Sequence, residues 1–404
     1  MRSAVLTEPR AFELRDRPKP EPAPDEVLVA VGEVGICGSD VHYYEHGRIG
    51  DYVVEEPLVL GHESAGEVVA VGDDVVGLEP GDRVALEPGV PCRRCPHCKR
   101  GDYHLCESVE FMATPPHDGA FTEYVAWPAD YAYELPESVS TTEGALCEPL
   151  SVGIHACRRG NVGTGDTVLI TGAGPIGLLA METARAAGAT DILLADVVDS
   201  KVEFARERGA DRAIDVSQTD LEVAVDEYTD GVGADVVIEA SGAEPSIQAT
   251  VDTVRRGGTV VLVGLASEAE VPFDVLDLID NEIDVHGSFR YKNTYDAAID
   301  LLADDAVDVE GLVDFRSTLD GETVVIFTSD HGEAFGEHGR SFHESGLWDE
   351  NVRIPLFVDI PREGPEVVET AVSNLDILPT VLRAADVESP KPWDGMDLQT
   401  IDRA

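Results

Sequence analysis

The chain has 404 residues, enough for two or three domains, and 43% of them are hydrophobic, as in ordinary globular proteins. Its charge is unusual, because 29 basic residues face 79 acidic ones and the formal net charge is −50. The acidic residues are spread along the chain, which suits a cytosol rich in salt, where repulsion between charges is screened. We therefore expect a halophilic protein. The strongly negative electrostatic potential of its surface excludes nucleic acids and anionic membranes as partners.

Targeting signals are absent from the sequence. No apolar run reaches the roughly 18 residues of a transmembrane helix, and the N-terminus lacks the apolar segment of a signal peptide. The sequence therefore predicts a cytoplasmic protein.

The first candidate site joins Cys37 to the pair His62-Glu63, 25 residues further on. A thiolate, an imidazole and a carboxylate can hold a tetrahedral zinc with one open position. A lone cysteine or a lone His-Glu pair more often lies in a packed core or on the surface without a function. Two residues near Cys37, however, favour a metal site. Ser39 and His42 follow Cys37 closely and offer a path for a proton leaving a hydroxyl.

Four of the seven cysteines, Cys92, Cys95, Cys98 and Cys106, fall within 15 residues. In a reducing cytosol such a cluster indicates a metal rather than disulfides. Four thiolates leave no open position, so the spacing predicts a closed, structural zinc site. An iron–sulfur cluster is the rival interpretation.

From Thr167 the pattern changes to alternating strands and helices. A buried strand at residues 167–171 leads into Gly172, Gly174 and Gly177, a helical run follows to Ala187, and a second strand ends at Asp196. Glycines in this context let a pyrophosphate approach the backbone and the helix N-terminus, while the acid binds the ribose hydroxyls. Because an acid there repels a 2′-phosphate, NAD is favoured over NADP, although the nearby Lys201 weakens that preference.

A zinc lobe before a dinucleotide lobe resembles the zinc-dependent medium-chain dehydrogenases, most closely the sorbitol/xylitol (polyol) dehydrogenases, over residues 1 to about 319. The motifs that carry the resemblance are Cys37-Gly38-Ser39-Asp40-Val41-His42-Tyr43, residues 44–50 (YEHGRIG), Gly61-His62-Glu63, residues 148–159 (EPLSVGIHACRR), the turn at residues 172–177 and Phe289-Arg290-Tyr291.

The resemblance implies a fold and a division into domains. The fold class is α/β plus β: a GroES-like catalytic lobe (residues 1–155), an inserted doubly wound Rossmann domain that binds NAD (156–286), and a truncated return to the catalytic lobe (287–319). Residues 320–404 would form a partial α/β, sulfatase-like tail.

The resemblance also assigns residues. Cys37, His62 and Glu63 would hold the catalytic zinc, with Glu148 near it directly or through water; which of the two glutamates is the ligand stays open. Substrate contacts would come from Tyr43, Glu148, Arg290 and Tyr291. Further cofactor contacts would come from Pro175, Ile176, Val263, Gly264, Leu265, Ser288 and Phe289. We read Cys147 and Glu148 as neighbours in a strand, which would let only Glu148 face the metal.

The predicted reaction oxidises a secondary hydroxyl of a polyol to a ketone. The metal lowers the pKa of the hydroxyl, the proton leaves through Ser39, His42 or water, and hydride passes to the nicotinamide. Glu148 and Arg290 would hold neighbouring hydroxyls. The same family also contains threonine, butanediol and glucose dehydrogenases, which stay open as alternatives, and its members are commonly tetramers or dimers.

Beyond about Leu319 the chain resembles the C-terminal part of a sulfatase core instead. The resemblance lies in residues 320–333 (DGETVVIFTSDHGE), His343, residues 347–350, 353–356 and 376–380. It implies that Asp330 and His331 help to bind a metal, usually calcium. The last cysteine is Cys157, so the tail lacks the sulfatase nucleophile and we expect no sulfatase activity.

The chain thus reads as one nearly complete enzyme fused to a fragment of another. We hypothesise that residues 323–327 fill the vacated strand position of the catalytic lobe, since their β-branched character suits a strand. If they do not, an unpaired sheet edge would favour the alternative of an inactive or unstable fusion product with structural zinc only.

Overall fold

The computed structural model describes residues 1–266, 270–313 and 316, together with four short strand backbones between residues 325 and 359. The chain divides into two compact units, Met1–Asp314 and Phe315–Ala404.

The N-terminal part of the first unit consists of short strands and few helices. Its strands are β1 (Arg2–Glu8), β2 (Ala11–Asp16), β3 (Glu26–Gly35), β4 (Arg48–Ile49), β5 (Tyr52–Val53), β6 (Leu58–Val59), β7 (Glu63–Val71), β8 (Arg83–Leu86), β9 (Gly89–Val90), β10 (Glu110–Phe111), β11 (Tyr124–Pro128) and β12 (Ala132–Glu134). Its helices are α1 (Gly38–His46), α2 (Pro96–Lys99) and α3 (Thr141–Arg159).

These strands form the antiparallel sheets of a GroES-like lobe. The larger sheet has the order β11-β3-β7-β8-β12, and a smaller one has the order β2-β1-β6. Val27 and Val29 of β3, Val68 of β7, and Val84 and Leu86 of β8 are buried together in one apolar core. The larger sheet therefore supplies a rigid frame for the residues that follow the end of β3 and for those at the start of β7.

The second part of the first unit alternates strands with helices. Its strands are β13 (Thr167–Thr171), β14 (Asp191–Asp196), β15 (Arg212–Asp215), β16 (Ala234–Glu239), β17 (Val254–Leu262) and β18 (Asp284–Gly287). Its helices are α4 (Pro175–Ala187), α5 (Asp199–Glu207), α6 (Leu221–Thr229), α7 (Glu244–Thr253), α8 (Val275–Asp280) and α9 (Tyr295–Ala303).

The six strands form one parallel sheet in the order β15-β14-β13-β16-β17-β18. The chain order runs outward from β13 to β15 on one side and from β16 to β18 on the other, so the order reverses between β13 and β16. Open sheets of this kind bind dinucleotides at that point. The predicted strand at residues 167–171, the helix ending at Ala187 and the strand ending at Asp196 are confirmed.

Helix α3 packs into the cores of both parts of the first unit. Leu150 and Ile154 belong to a buried cluster with residues of β7, β8 and α9, while Ala156 and Cys157 belong to the core of the parallel sheet. A Cβ on Gly153 would lie 2.9 Å from the backbone of Leu179, so α3 and α4 approach closely there. The helix thereby fixes the orientation of Glu148, which lies at its middle.

In the second unit the described backbone contains β19 (Val325–Thr328), β20 (Ala334–Phe335), β21 (Ser341–Phe342) and β22 (Leu356–Asp359). Strand β19 pairs with β22 antiparallel, and β20 pairs with β21. The five-stranded catalytic sheet is made of β3, β7, β8, β11 and β12. The hypothesis that residues 323–327 join that sheet is therefore wrong for residues 325–327, because β22 of the same unit supplies the backbone partners of β19.

Within the part of the chain that the structure describes, no helix combines the length and apolarity needed to cross a lipid bilayer.

Candidate active site

Three predicted ligands meet where two paired strands of the catalytic sheet bring distant segments together. Gly35, the last residue of β3, pairs with Glu63, the first residue of β7. Cys37 follows β3 directly and His62 precedes β7, so the strand pairing places all three side chains at one edge. Their ligand atoms lie within 4.8 Å of one another. A Cβ on Gly35 would lie 2.0 Å from Glu63 Oε2, so this approach requires glycine.

Asp40 organises these ligands from helix α1. Its carboxylate accepts hydrogen bonds from the backbone N–H groups of Cys37 (2.9 Å) and Gly61 (3.0 Å). Its Oδ1 also lies 3.7 Å from Nδ1 of His62, so Nε2 is the ring nitrogen left for a metal. A carboxylate behind a ligating histidine is the usual way to fix ring orientation and tautomer.

The electrostatics of the group fit a divalent cation. His62 and Glu63 are 6% and 7% exposed, and Glu148 is 6% exposed. Burial raises the pKa of the Cys37 thiol, and burial followed by the charge of Glu148 raises the pKa of Glu63 to about 8. Burial also raises the pKa of Glu148. A thiolate and two carboxylates ionise together in such a place only beside a positive charge, which zinc supplies.

Glu148 lies in helix α3, not in a strand, and the expectation of a strand at Cys147-Glu148 is wrong. The helix begins at a capping box in which Ser140 and Glu143 bond each other's backbone N–H groups. Successive residues point about 100° apart on a helix. Cys147 is therefore fully buried in the apolar core, whereas Glu148 accepts a hydrogen bond from the Tyr291 hydroxyl (2.8 Å).

The other predicted substrate contacts surround this carboxylate. Tyr43 is buried, and burial raises the pKa of its hydroxyl. The Arg290 guanidinium lies 4.1 Å from the ring centroid of Phe111 and 4.8 Å from that of Phe289.

The predicted proton path begins on helix α1. Ser39 is half-buried, and His42 is exposed with its ring 5.9 Å from that of His46. Their role in proton transfer stays a prediction.

The cysteine cluster forms a second candidate metal site, with the sulfur atoms of Cys92, Cys95, Cys98 and Cys106 within 4.8 Å of one another. Cys95 caps the short helix α2, where its sulfur accepts a hydrogen bond from the Cys98 N–H at 3.4 Å. The Cys106 sulfur accepts one from the Cys92 N–H, also at 3.4 Å. Four converging thiols with N–H donors behind them fit a closed tetrahedral zinc.

The glycine-rich turn takes the geometry that a dinucleotide needs. Gly172 has a φ of +100°, and Gly174 caps helix α4, which begins at Pro175 with Ile176 after it. A Cβ on Gly177 would lie 1.8 Å from the Gly172 carbonyl oxygen, so helix and strand touch there. Asp196 accepts hydrogen bonds from the N–H groups of Ala173 (2.7 Å) and Val198 (2.9 Å) at the end of β14.

The remaining predicted cofactor residues follow β17 and β18. The N–H of Val263 donates to the Glu239 carbonyl, and a Cβ on Gly264 would lie 2.2 Å from the Gly242 nitrogen. Leu265 and Phe289 are exposed, and the Ser288 hydroxyl is buried without a protein partner among the described residues. Lys201 is exposed on α5.

Sequence reasoning missed Asp40, Phe111 and Glu87. Asp40 could have been found from its spacing, three residues after Cys37 in the first turn of the helix that Cys37 caps. Glu87 is a buried carboxyl that accepts hydrogen bonds from the hydroxyls of Tyr103 and Tyr133, both at 2.8 Å, and burial raises its pKa to about 7. No motif indicates Glu87 or Phe111, because their partners come from distant segments.

Comparison with known proteins agrees with this geometry. The alcohol dehydrogenase GroES-like domain matches residues 23–137, and the zinc-binding dehydrogenase domain matches residues 175–304. Sorbitol dehydrogenase of Bacillus subtilis is 46% identical over 320 residues, which cover 79% of this chain and 91% of that protein. Human sorbitol dehydrogenase is 46% identical over 321 residues, covering 79% and 89%.

Among solved structures, a zinc-binding dehydrogenase of Sinorhizobium meliloti bound to NADP is 34% identical with a TM-score of 0.72, covering 78% of this chain and 91% of that one. The fold and the two metal-ligand groups define a zinc-dependent alcohol dehydrogenase with a nicotinamide dinucleotide cofactor. The chain belongs to the zinc-binding dehydrogenase family, within its GroES-like, medium-chain branch.

The sulfatase family also matches residues 269–387. This confirms the resemblance of the C-terminal segment. Asp330, His331 and His343 lie outside the described residues.

Proposed function

We propose that this protein is an NAD-dependent, zinc-dependent polyol dehydrogenase that oxidises a secondary hydroxyl of a sorbitol- or xylitol-like substrate to a ketone. The hydrogen bond between Tyr291 and Glu148 beside the Cys37, His62 and Glu63 group carries this proposal. In this proposal the buried carboxylate and the phenol would lie next to the reacting position. The sorbitol dehydrogenases at 46% identity support the same substrate class.

In this proposal, Cys37, His62 and Glu63 hold the catalytic zinc, because their ligand atoms converge within 4.8 Å. Zinc supplies Lewis-acid chemistry that lowers the pKa of the substrate hydroxyl. Glu148, oriented by Tyr291, accepts a hydrogen bond from a neighbouring hydroxyl of the polyol, and Arg290 donates one. Tyr43 closes the pocket from helix α1. Ser39, His42 or water would carry the hydroxyl proton toward solvent, and a bound nicotinamide dinucleotide would supply the hydride acceptor.

The cofactor is NAD rather than NADP. Asp196 lies at the end of β14, where the ribose hydroxyls of a bound dinucleotide are expected, and its negative charge repels a 2′-phosphate. Lys201 is exposed in the first turn of α5 and offsets part of that repulsion. The turn from Gly172 to Gly177 holds the pyrophosphate, with Val263, Gly264, Leu265, Ser288 and Phe289 along the nicotinamide side.

The test is turnover by the full chain, purified in concentrated KCl with zinc. NADH formation would be followed with xylitol and sorbitol, and with threonine, butanediol and glucose beside them. We expect the polyols to be the best substrates and the Cys37→Ala variant to be inactive. If the protein instead prefers threonine, butanediol or glucose, the proposed polyol substrate class is wrong, although the chain still acts as a dehydrogenase of the same family.

An inactive fusion product is the second candidate, favoured by the pairing of β19 with β22. A preparation that retains zinc on its four cysteines but oxidises none of these substrates would establish it. Sulfatase activity is not part of either proposal.

The proposed domain limits are 1–155 for the catalytic lobe, 156–286 for the NAD-binding domain, 287–319 for the truncated return and 320–404 for the sulfatase-like fragment. The parallel sheet from β13 to β18 supports the limits of the NAD-binding domain. Limited proteolysis followed by mass spectrometry would test them.

The net charge of −50 supports a halophilic, cytoplasmic protein. Screening of its self-repulsion by salt predicts that the thermal unfolding temperature rises steeply between low and molar KCl.

We also infer a homo-oligomer, a dimer or a tetramer. Leu276 and Ile279 on α8 are 72% and 65% exposed in an otherwise strongly acidic chain, and β18 lies at the edge of the parallel sheet. Exposed apolar side chains beside a sheet edge suit association with a second copy. Sedimentation of the wild type and a Leu276→Asp variant would test this inference.

A further inference from the structure

Arg290 is held by aromatic rings rather than by acids. Its guanidinium lies 4.1 Å from the ring centroid of Phe111 and 4.8 Å from that of Phe289. Across residues 1–266 and 270–313, no carboxylate lies within 4.0 Å of its guanidinium nitrogens, and Nη1 is buried without a hydrogen-bond partner. Its backbone has a φ of +50°, which is unusual for a residue with a side chain.

Phe111 is the fixed member of this pair of rings. It is 9% exposed, whereas Phe289 is 51% exposed. Phe111 lies in β10, paired with Gly89 of β9, and a Cβ on Gly89 would lie 3.2 Å from its ring. On its other side the ring centroid is 5.7 Å from that of His62. Phe111 therefore spans the distance between a proposed zinc ligand and the guanidinium.

We propose that Phe111 is a positioning residue that holds the Arg290 guanidinium beside the reacting position and thereby sets specificity for substrates with a hydroxyl next to the oxidised carbon. This inference rests on the proposed function, because it takes Arg290 as a substrate contact.

An aromatic ring suits this task better than a carboxylate. A carboxylate partner would occupy the N–H groups of the guanidinium, which lie in its plane, and would add negative charge beside Glu63 and Glu148. A ring attracts the cation through its face and leaves those N–H groups free to donate to a substrate hydroxyl. The unpartnered Nη1 of Arg290 fits this division of roles.

The test compares a polyol with a monohydric secondary alcohol in steady-state kinetics. Phe111→Leu keeps an apolar side chain but removes the ring, Phe111→Tyr keeps the ring face, and Phe273→Leu serves as a matched control. Phe273 is half-buried and packs against an apolar core of the parallel sheet.

For Phe111→Leu we expect the KM for xylitol to rise about 3- to 30-fold while the KM for 2-butanol stays unchanged. Phe111→Tyr should restore the wild-type value. In an Arg290→Ala background, Phe111→Leu should have no further effect on the KM for xylitol. Equal changes in both KM values, or additive effects of the two substitutions, would overturn the inference.

A second measurement does not depend on turnover. The rate of Arg290 modification by phenylglyoxal, followed by mass spectrometry of its peptide, should rise in Phe111→Leu and stay at the wild-type value in Phe111→Tyr and Phe273→Leu. If the wild type oxidises no polyol, this rate still decides whether Phe111 holds the guanidinium. An unchanged rate in Phe111→Leu would show that it does not.

Discussion

Oδ1 of Asp40 lies 3.7 Å from Nδ1 of His62, and the same carboxylate accepts hydrogen bonds from the backbone N–H groups on either side of the proposed metal, at Cys37 and Gly61. Asp40 is 2% exposed, so it is held in this position by the protein rather than by water. One side chain thus fixes the backbone of Cys37 at the start of helix α1, the turn before His62 and the orientation of the imidazole ring.

Replacement of Asp40 by Asn should weaken zinc binding at the catalytic site by about 10- to 100-fold, the usual cost of losing the partner of a ligating histidine. Competition with a chromophoric chelator would measure the affinity. Asp118→Asn is a matched control, because Asp118 also accepts a backbone N–H, that of Val59 at 2.9 Å, in the same lobe. Equal effects in the two variants would contradict a specific role for Asp40.

Zinc binding at the catalytic site should release protons at neutral pH. Without a metal, burial and the charge of Glu148 raise the pKa of Glu63 to about 8, so this carboxyl is mostly protonated at pH 7 and must ionise to bind. The zinc affinity should therefore fall as the pH drops below 8.

The measurement is proton release at pH 7 in weak buffer on adding zinc to protein whose cysteine cluster is already loaded. Glu63→Gln, which has no carboxyl proton to lose, should release about one proton less than the wild type. Identical release from both proteins would show that Glu63 is ionised before zinc arrives.

The strands and helices around the parallel sheet could be predicted closely, because residues within each segment determine its secondary structure. Residues 168–170 are a buried apolar run between two threonines. After them, glycine is required at Gly172 by a positive φ and at Gly177 by a close contact. At Cys147-Glu148 the motif predicts a strand, whereas the structure has helix α3, whose sequence signal is the Ser140–Glu143 capping box outside the motif. Pro149 within the helix also argues locally against the observed structure.

The candidate site could be predicted only as a set of ligands. Cys37, His62 and Glu63 have a recognisable pattern, but the contacts of Phe111 with Arg290 and of Glu87 with Tyr103 and Tyr133 join residues that are distant in sequence. Such contacts depend on how the folded elements pack. The pairing of β19 with β22 was missed for the same reason, since strand propensity does not choose a partner.

Glu87 should make the stability of the first unit depend on pH. Burial raises its pKa in the folded chain from 4.5 to about 7. Between these values the folded chain binds a proton that the unfolded chain does not, so the free energy of unfolding falls as the pH rises, by about 3 kcal/mol in all.

Urea unfolding of the wild type and Glu87→Gln between pH 4.5 and 8, in constant KCl and zinc, would measure this dependence. Because the amide introduced by Glu87→Gln does not titrate, the difference between the two proteins should change across this range and level off above pH 7. A constant difference would contradict the raised pKa.

The four-cysteine site should hold one zinc equivalent that is independent of the catalytic one. Cys95→Ser removes a thiolate ligand and a helix cap at once, so zinc content should fall by one equivalent and the lobe around residues 92–106 should become sensitive to protease. Cys157→Ser is the control, because Cys157 is buried in the core of the parallel sheet. Metal analysis would decide, and bound iron with a visible absorption band would favour the iron–sulfur interpretation.

Asp196 should determine the choice between NAD and NADP. The Asp196→Ser substitution removes both the charge that repels a 2′-phosphate and the acceptor for the ribose hydroxyls. The value of kcat/KM should therefore fall for NAD and rise for NADP. The ratio of the two kcat/KM values should change by more than about tenfold. Lys201→Ala should change the ratio in the opposite direction, because Lys201 attracts the phosphate from α5. Asp199→Ser, on the same helix, serves as the matched control for loss of a nearby negative charge. If Asp199→Ser changes the ratio as much as Asp196→Ser, the preference comes from the general acidity of the surface rather than from a contact with the ribose.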